Sequence, residues 1–167
     1  MIAFGRIEKT LSFLEREYQK NLASSDSEIP VLYSKMAILE YCGWLEESFD
    51  DIARNCIRGK LRSAGSRKPM EEKIRTTYGF KYNEHLHPML VMGLGLPKVV
   101  KIENELERDG SISALKSNLG TLNVMRREAA HTHTSGRTSS FQAPSSIIAN
   151  YAQTKPVVLK LWHCVKT

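Results

Sequence analysis

The sequence predicts an all-α fold, and three observations carry that reading. Apolar residues recur at i, i+3, i+4 and i+7 through most of the 167 residues, the spacing that lines one face of a helix. No stretch alternates apolar and polar residues for long enough to make a strand. Polar and turn-forming clusters, such as Ser24-Ser25-Asp26-Ser27 and Asp109-Gly110, fall between the periodic segments rather than inside them. Together these describe a bundle of about five or six helices with a long, kinked C-terminal helix, in a single domain over residues 1–167. A chain of this length can bury a sizeable core.

The elements follow in order. Residues 2–22 carry Ile2, Phe4, Ile7, Leu11, Phe13, Leu14 and Tyr18 close to helical spacing and stop at the serine-rich run. Pro30 suits a first helical turn, and residues 31–60 place Leu32, Met36, Leu39, Cys42, Leu45, Phe49, Ile52 and Cys56 on a long second helix. Residues 62–69 (Arg-Ser-Ala-Gly-Ser-Arg-Lys-Pro) lack an apolar repeat and read as a basic loop before a short helix at 70–78. Residues 85–96 are ambiguous: Met89, Leu90, Val91 and Met92 are apolar, but Gly93 and Gly95 would interrupt a helix. His87, before Pro88, reads as a loop residue. A helix at 98–108 stops at Asp109-Gly110. Ser111 then caps the next helix, over 111–131, whose Leu115, Leu119, Leu122, Met125 and Ala129 form the cleanest apolar stripe in the chain. Residues 132–144, rich in Ser, Thr and Gly, read as a loop, and 145–166 as a final helix that Pro156 kinks or divides.

The net charge is +6, from 24 Lys+Arg against 18 Asp+Glu, which favours a polyanionic partner. The surplus is local. Residues 1–53 carry 5 basic and 10 acidic side chains, whereas 54–81 carry 9 basic against Glu71 and Glu72 alone. Residues 126–167 add Arg126, Arg127, Arg137, Lys155, Lys160 and Lys166 against the single acid Glu128. The two basic segments offer Arg62, Arg67, Lys68, His133 and Arg137 as candidate RNA contacts; the blander reading is a solvated surface that keeps the domain soluble. No apolar run approaches the roughly 20 residues of a membrane span. Glu8 and Lys9 stand where a signal peptide's apolar stretch would continue, so neither a membrane nor a secreted protein is expected. Cys42, Cys56 and Cys164 are odd in number and widely spaced, which suits a reducing cytoplasm rather than a disulfide or zinc-ribbon framework.

Three constellations carry chemistry. His85-Leu-His87 and His131-Thr-His133 are H-x-H pairs, but without an H-E-x-x-H or C-x-x-C partner they read as surface or capping histidines, and no metal is expected. Cys42 and Cys164 fall on apolar helix stripes, where a buried, inert thiol is commoner than a nucleophile. The third is Val124-Met125-Arg126-Arg127-Glu128-Ala129-Ala130-His131, at the end of the best helix and beside a basic loop. Metal-free RNA cleavage needs a group that titrates near neutrality to move a proton, and a fixed cation for the phosphorane charge. Histidine and arginine supply both. Arg126 and His131 lie about 140° apart around an ideal helix, whereas Arg127 and His131, four positions apart, share a face. Arg126 must therefore reach round, or the helix must loosen before His131. The competing reading is that the arginines are solvated and His131 stabilises the helix C-terminus.

The R-x4-H motif from Arg126 to His131, with a leucine-rich helix before it and Ala129-Ala130-His131 at its end, resembles the HEPN superfamily of ribonucleases. Upstream, Ala37-Ile38-Leu39-Glu40-Tyr41-Cys42-Gly43-Trp44-Leu45-Glu46-Glu47-Ser48-Phe49 resembles the long second helix of the RiboL-PSP-HEPN branch, in which an acid follows a small, aromatic and aliphatic run. The resemblance covers most of the chain. It implies a HEPN-like helical bundle that forms a homodimer, brings two Arg/His motifs together at a cleft and cleaves RNA with neither metal nor cofactor. Such domains often act as toxins in toxin–antitoxin, abortive-infection or CRISPR-linked defence, so an antitoxin or defence-system partner is implied as well.

By that resemblance Arg126 and His131 take the catalytic positions, Arg127 the polar position after the arginine, and Glu46 or Glu47 the helix-two acid that orients them. The sequence also departs from the pattern. Position 127 is commonly Asn or Asp in the family, so Arg127 puts the usual hydrogen-bonding role in doubt while adding a second phosphate contact. A related toxin group continues the motif as H-x-Tyr, the tyrosine being modified by a partner; His133 stands there in this chain. The glycine often found after the motif histidine is displaced to Gly136. Two other classes compete with the enzyme: a non-catalytic HEPN module that binds RNA or a protein through the same cleft, and a helical adaptor in which Arg126 and His131 only cap a helix.

Overall fold

A computed structural model describes residues 2–23, 28–131 and 141–166. Among them the chain is all-helical and contains no strand. Seven α-helices appear: α1 (Phe4–Asn21), α2 (Glu28–Ile57), α3 (Ala64–Arg75), α4 (His87–Leu94), α5 (Leu96–Glu107), α6 (Ser111–His131) and α7 (Pro144–Cys164), with a π-helical turn at Tyr82–Leu86 before α4. No helix among the described residues is long and apolar enough to cross a membrane.

Several expectations are corrected. The basic loop at 62–69 is mostly helix: Ser63 caps α3, its hydroxyl accepting the Ser66 N–H at 3.0 Å, and the helix runs through Pro69. Proline there forfeits one N–H in an exposed turn, where water reaches the carbonyl left over, while Met70 and Ile74 supply the buried face. His87 is not a loop residue but opens α4, with Pro88 in the first turn, where a missing N–H costs nothing. Gly93 does not interrupt α4. The break comes at Gly95, whose φ of 81° is a left-handed conformation that glycine adopts without strain. α4 thus raises the helix number from the expected five or six to seven. At the C-terminus, α7 is continuous across Pro156. Both Pro156 and Ala152, whose carbonyl loses its partner, are exposed.

The chain groups into two compact units, to both of which α2, α6 and α7 contribute. The first holds Leu45–Gly120 together with Ile2 and the chain from Thr154 onward. Phe49, Ile52 and Cys56 of α2, Met89 and Leu90 of α4, Val99 of α5, Leu115 of α6 and Leu161 of α7 are buried in it. Asn55, buried on α2, donates from Nδ2 to the Trp162 carbonyl at 3.2 Å. Lys160 of α7 donates to the Asp109 carboxylate in the turn before α6. The Asp109 side chain in turn accepts the Ser111 N–H at 3.1 Å, so Asp109 rather than Ser111 serves the start of α6.

The second unit holds Ala3–Trp44 and Thr121–Gln153. An aromatic cluster ties its helices together. Trp44 meets Tyr151 edge-on at 5.1 Å, Tyr41 stacks on Trp44 at 5.9 Å, and Phe4 lies 5.8 Å from Trp44. Such pairs stabilise beyond their area burial. The hydroxyls at the rim are bonded: Tyr41 donates to Asn150 at 3.1 Å and Tyr151 to Glu8 at 2.9 Å. Burial and the Glu8 carboxylate raise the Tyr151 phenol above its ordinary value.

Candidate active site

α6 positions the motif. It is one continuous helix through His131, so it does not loosen before the histidine. Its buried stripe runs through Ile112, Leu115, Leu119, Leu122 and Ala129. Arg126 lies four residues after Leu122 and three before Ala129, on the flank of that stripe, and is half-buried. Arg127 and His131 are both exposed. A cleft of about 350 Å³ in the second unit is lined by Val124, Arg127, Glu128 and His131. Those four positions repeat at i, i+3, i+4 and i+7, a single outward face of α6.

The cleft therefore brings together Arg127 and His131, whose Cβ atoms at this spacing stand about 5–6 Å apart on a helix. Arg126 is not among the described residues that line it. Two side chains in the cleft escaped the motif-based reading. Glu128, three residues before His131, is a carboxylate able to hold an imidazole ring or pair with Arg127, and Val124 is an exposed apolar surface, 53% accessible. Both were visible in the sequence as members of the same helical face.

The other expected site residues are not among the described residues that line this cleft. Glu46, half-buried, and Glu47, exposed, lie on the part of α2 in the first unit, whereas Arg126, Arg127 and His131 belong to the second. Arg62 precedes α3, and Arg67 and Lys68 lie on it; all three are exposed. His133 and Arg137 lie outside the described residues. One neighbour of the expected acids is perturbed. Burial, with help from Glu46, Asp51 and Glu47 and against Arg54, raises the Asp50 carboxyl to about 6.

No group of three or more His, Cys, Asp or Glu side chains among the described residues is arranged to hold a metal ion. Cys42 and Cys56 are buried, and burial pushes the Cys56 thiol up to about 12, consistent with an inert packing role. His85 accepts the Lys81 backbone N–H through Nδ1 at 2.9 Å. Its ring packs on Gly79, where a Cβ would stand 2.6 Å from its Cε1. That histidine serves the turn before α4.

Comparison of the chain with known protein families, with curated proteins and with solved structures finds no match.

Proposed function

We propose that the protein is a metal-independent endoribonuclease of HEPN type, acting in the cytoplasm as a homodimer and cleaving RNA by attack of the 2′-hydroxyl on the adjacent phosphodiester. The observation that carries the reading is the exposed face of α6, where Arg127 and His131 share one cleft with Glu128. His131 takes the proton from the 2′-hydroxyl or returns one to the departing 5′-oxygen, and the product is a 2′,3′-cyclic phosphate with a free 5′-hydroxyl. Arg127 supplies the cation nearest the histidine for the charge on the phosphorane. Arg126, the motif arginine of the HEPN resemblance, is the second cation of the site. Glu46 or Glu47 keeps its role as orienting acid on that resemblance alone. Exposed Arg62, Arg67 and Lys68 are further candidate phosphate contacts in the first unit, and an antitoxin or defence-system partner would restrain the activity.

The experiment that tests this reading is cleavage of total RNA by the purified chain with excess EDTA. Full activity without divalent metal is expected. Cleavage that appears only when magnesium or manganese is added contradicts the mechanism. Salt-dependent RNA binding with no cleavage under any condition replaces it with the non-catalytic HEPN module, because phosphate contacts release counterions whether or not chemistry follows.

A further inference from the structure

The α6 cleft holds its side chains in a definite order around the helix. Arg127 and Glu128, adjacent in sequence, point about 100° apart. His131 lies between them, four residues after Arg127 and three after Glu128, and Val124 falls in the same arc one turn earlier. Arg127, Glu128 and His131 are all exposed. Among the described residues no ion pair engages any of the three side chains, so the cleft presents a cation, an imidazole and a carboxylate to whatever enters it.

Cleavage by the 2′-hydroxyl asks for two proton transfers at one phosphorus. The attacking 2′-oxygen and the departing 5′-oxygen stand roughly in line on opposite sides of it. An imidazole on one side reaches only one of them in a concerted step, so a second group must serve the other. Val124 has no proton to move, and a guanidinium keeps its own. Glu128 is the remaining described residue that lines the cleft. An ionised carboxylate accepts protons and donates none. Its charge repels phosphate oxygens, so hydroxyl and amine hydrogens are the parts of RNA that it attracts. Glu128 does not face Arg127, since adjacent residues on a helix point apart, whereas it stands about 5–6 Å from His131 at the Cβ atoms.

We propose that Glu128 is the general base of the reaction and His131 its general acid. The assignment rests on the ribonuclease reading above and divides its two proton transfers between two named side chains. The O2′–H bond breaks as a Glu128 Oε takes the proton, and the electron pair left on O2′ forms the O2′–P bond. The P–O5′ bond breaks with its electron pair going to O5′, which takes a proton from the His131 imidazolium. The products are a 2′,3′-cyclic phosphate and a 5′-hydroxyl. Water then takes the proton from Glu128 and returns one to His131, so the protein ends as it began. Arg127, on the far side of His131 from Glu128, faces the phosphorane charge, and exposed Val124 offers the sugar an apolar surface.

The test compares two substrates: an RNA oligomer that the full chain cuts, and the same oligomer with sulfur in place of the departing 5′-oxygen at the cut bond. A thiolate leaves without being protonated, so the sulfur substrate needs the base but not the acid. On the oxygen substrate Glu128→Gln and His131→Ala should each slow cleavage by about 10²–10⁴-fold. On the sulfur substrate His131→Ala should recover to within about tenfold of wild type, while Glu128→Gln stays slow. Both positions are exposed, circular dichroism checks the fold of each variant, and Glu128→Ala, a strong helix former, carries the test if Glu128→Gln does not fold. Wild-type rates in Glu128→Gln, recovery of Glu128→Gln on sulfur, or no recovery of His131→Ala overturns the assignment and leaves the ribonuclease reading standing. No cleavage of any RNA by wild type overturns both.

Discussion

Gly93 and Cys56 are in backbone-to-side-chain contact: a Cβ built on the glycine would stand 2.7 Å from the cysteine Cβ and 3.1 Å from the Met70 Cε. The glycine is there for approach, since it occupies an ordinary helical position on α4. Gly93→Ala therefore forces α2, α3 or α4 to shift, and overpacking of this kind costs about 1–3 kcal/mol. Gly43, on the exposed face of α2, has nothing within 4 Å of its missing Cβ. Gly43→Ala should instead stabilise by about 0.5–1 kcal/mol. Urea unfolding of the two variants checks both signs, and equal midpoints would show that the Cys56 contact is not tight.

The Asp50 carboxyl is raised to about 6 by burial, among Glu46, Glu47 and Asp51 and opposed by Arg54. A folded-state value above the unfolded one means that folding favours the protonated acid. Its contribution is full below about pH 4 and is lost as the pH rises through about 6. Stability should accordingly rise as the pH falls from 8 to 5. Asp50→Asn should raise stability at pH 8 by about 1 kcal/mol, a figure reduced for the group's partial exposure, and should flatten the slope. Thermal melts across this range, wild type against variant, provide the check.

Asp109 behaves in the opposite sense. The Lys160 ammonium, followed by the Ser111 hydroxyl and N–H, holds its carboxyl well below the usual aspartate range. The stabilisation is present above about pH 4 and is lost only as the pH falls below it. Asp109→Asn should thus lower the melting temperature at pH 7 and lower it by clearly less at pH 2. A difference as large at pH 2 as at pH 7 would assign the effect to the α6 turn rather than to the charge.

Arg126 and Arg127 should part company on substitution. Arg127 is exposed in the His131 cleft, so Arg127→Ala should change stability by no more than about 0.5 kcal/mol while slowing RNA cleavage about 10²–10³-fold. Arg126 is half-buried beside Leu122 and Ala129, so Arg126→Ala should affect both readouts. Chemical unfolding beside a cleavage assay separates the two, and a fully active Arg127→Ala would return the cation role to Arg126 alone.

The long helices were legible because one strong period governs each. The Leu115, Leu119 and Leu122 stripe of α6 is buried where periodicity puts it, and α5 ends at Glu107, just before the turn residues Asp109-Gly110. α3 was mostly hidden because Ala64-Gly65-Ser66-Arg67-Lys68-Pro69 has no apolar repeat; its signal was local, the Ser63 hydroxyl on the Ser66 N–H. α4 was hidden because Gly93 resembles a helix breaker until the tertiary contact with Cys56 is known. At the site, the face shared by Arg127 and His131 follows from helical spacing alone.

The central claim is that His131 moves a proton in RNA cleavage. Purified wild type and His131→Ala, each shown to be folded, should be incubated with the same RNA in EDTA and the product ends identified. The account predicts 2′,3′-cyclic phosphate and 5′-hydroxyl ends from wild type and none above background from His131→Ala. Equal cleavage by both proteins, or 3′-hydroxyl ends from wild type, would contradict it.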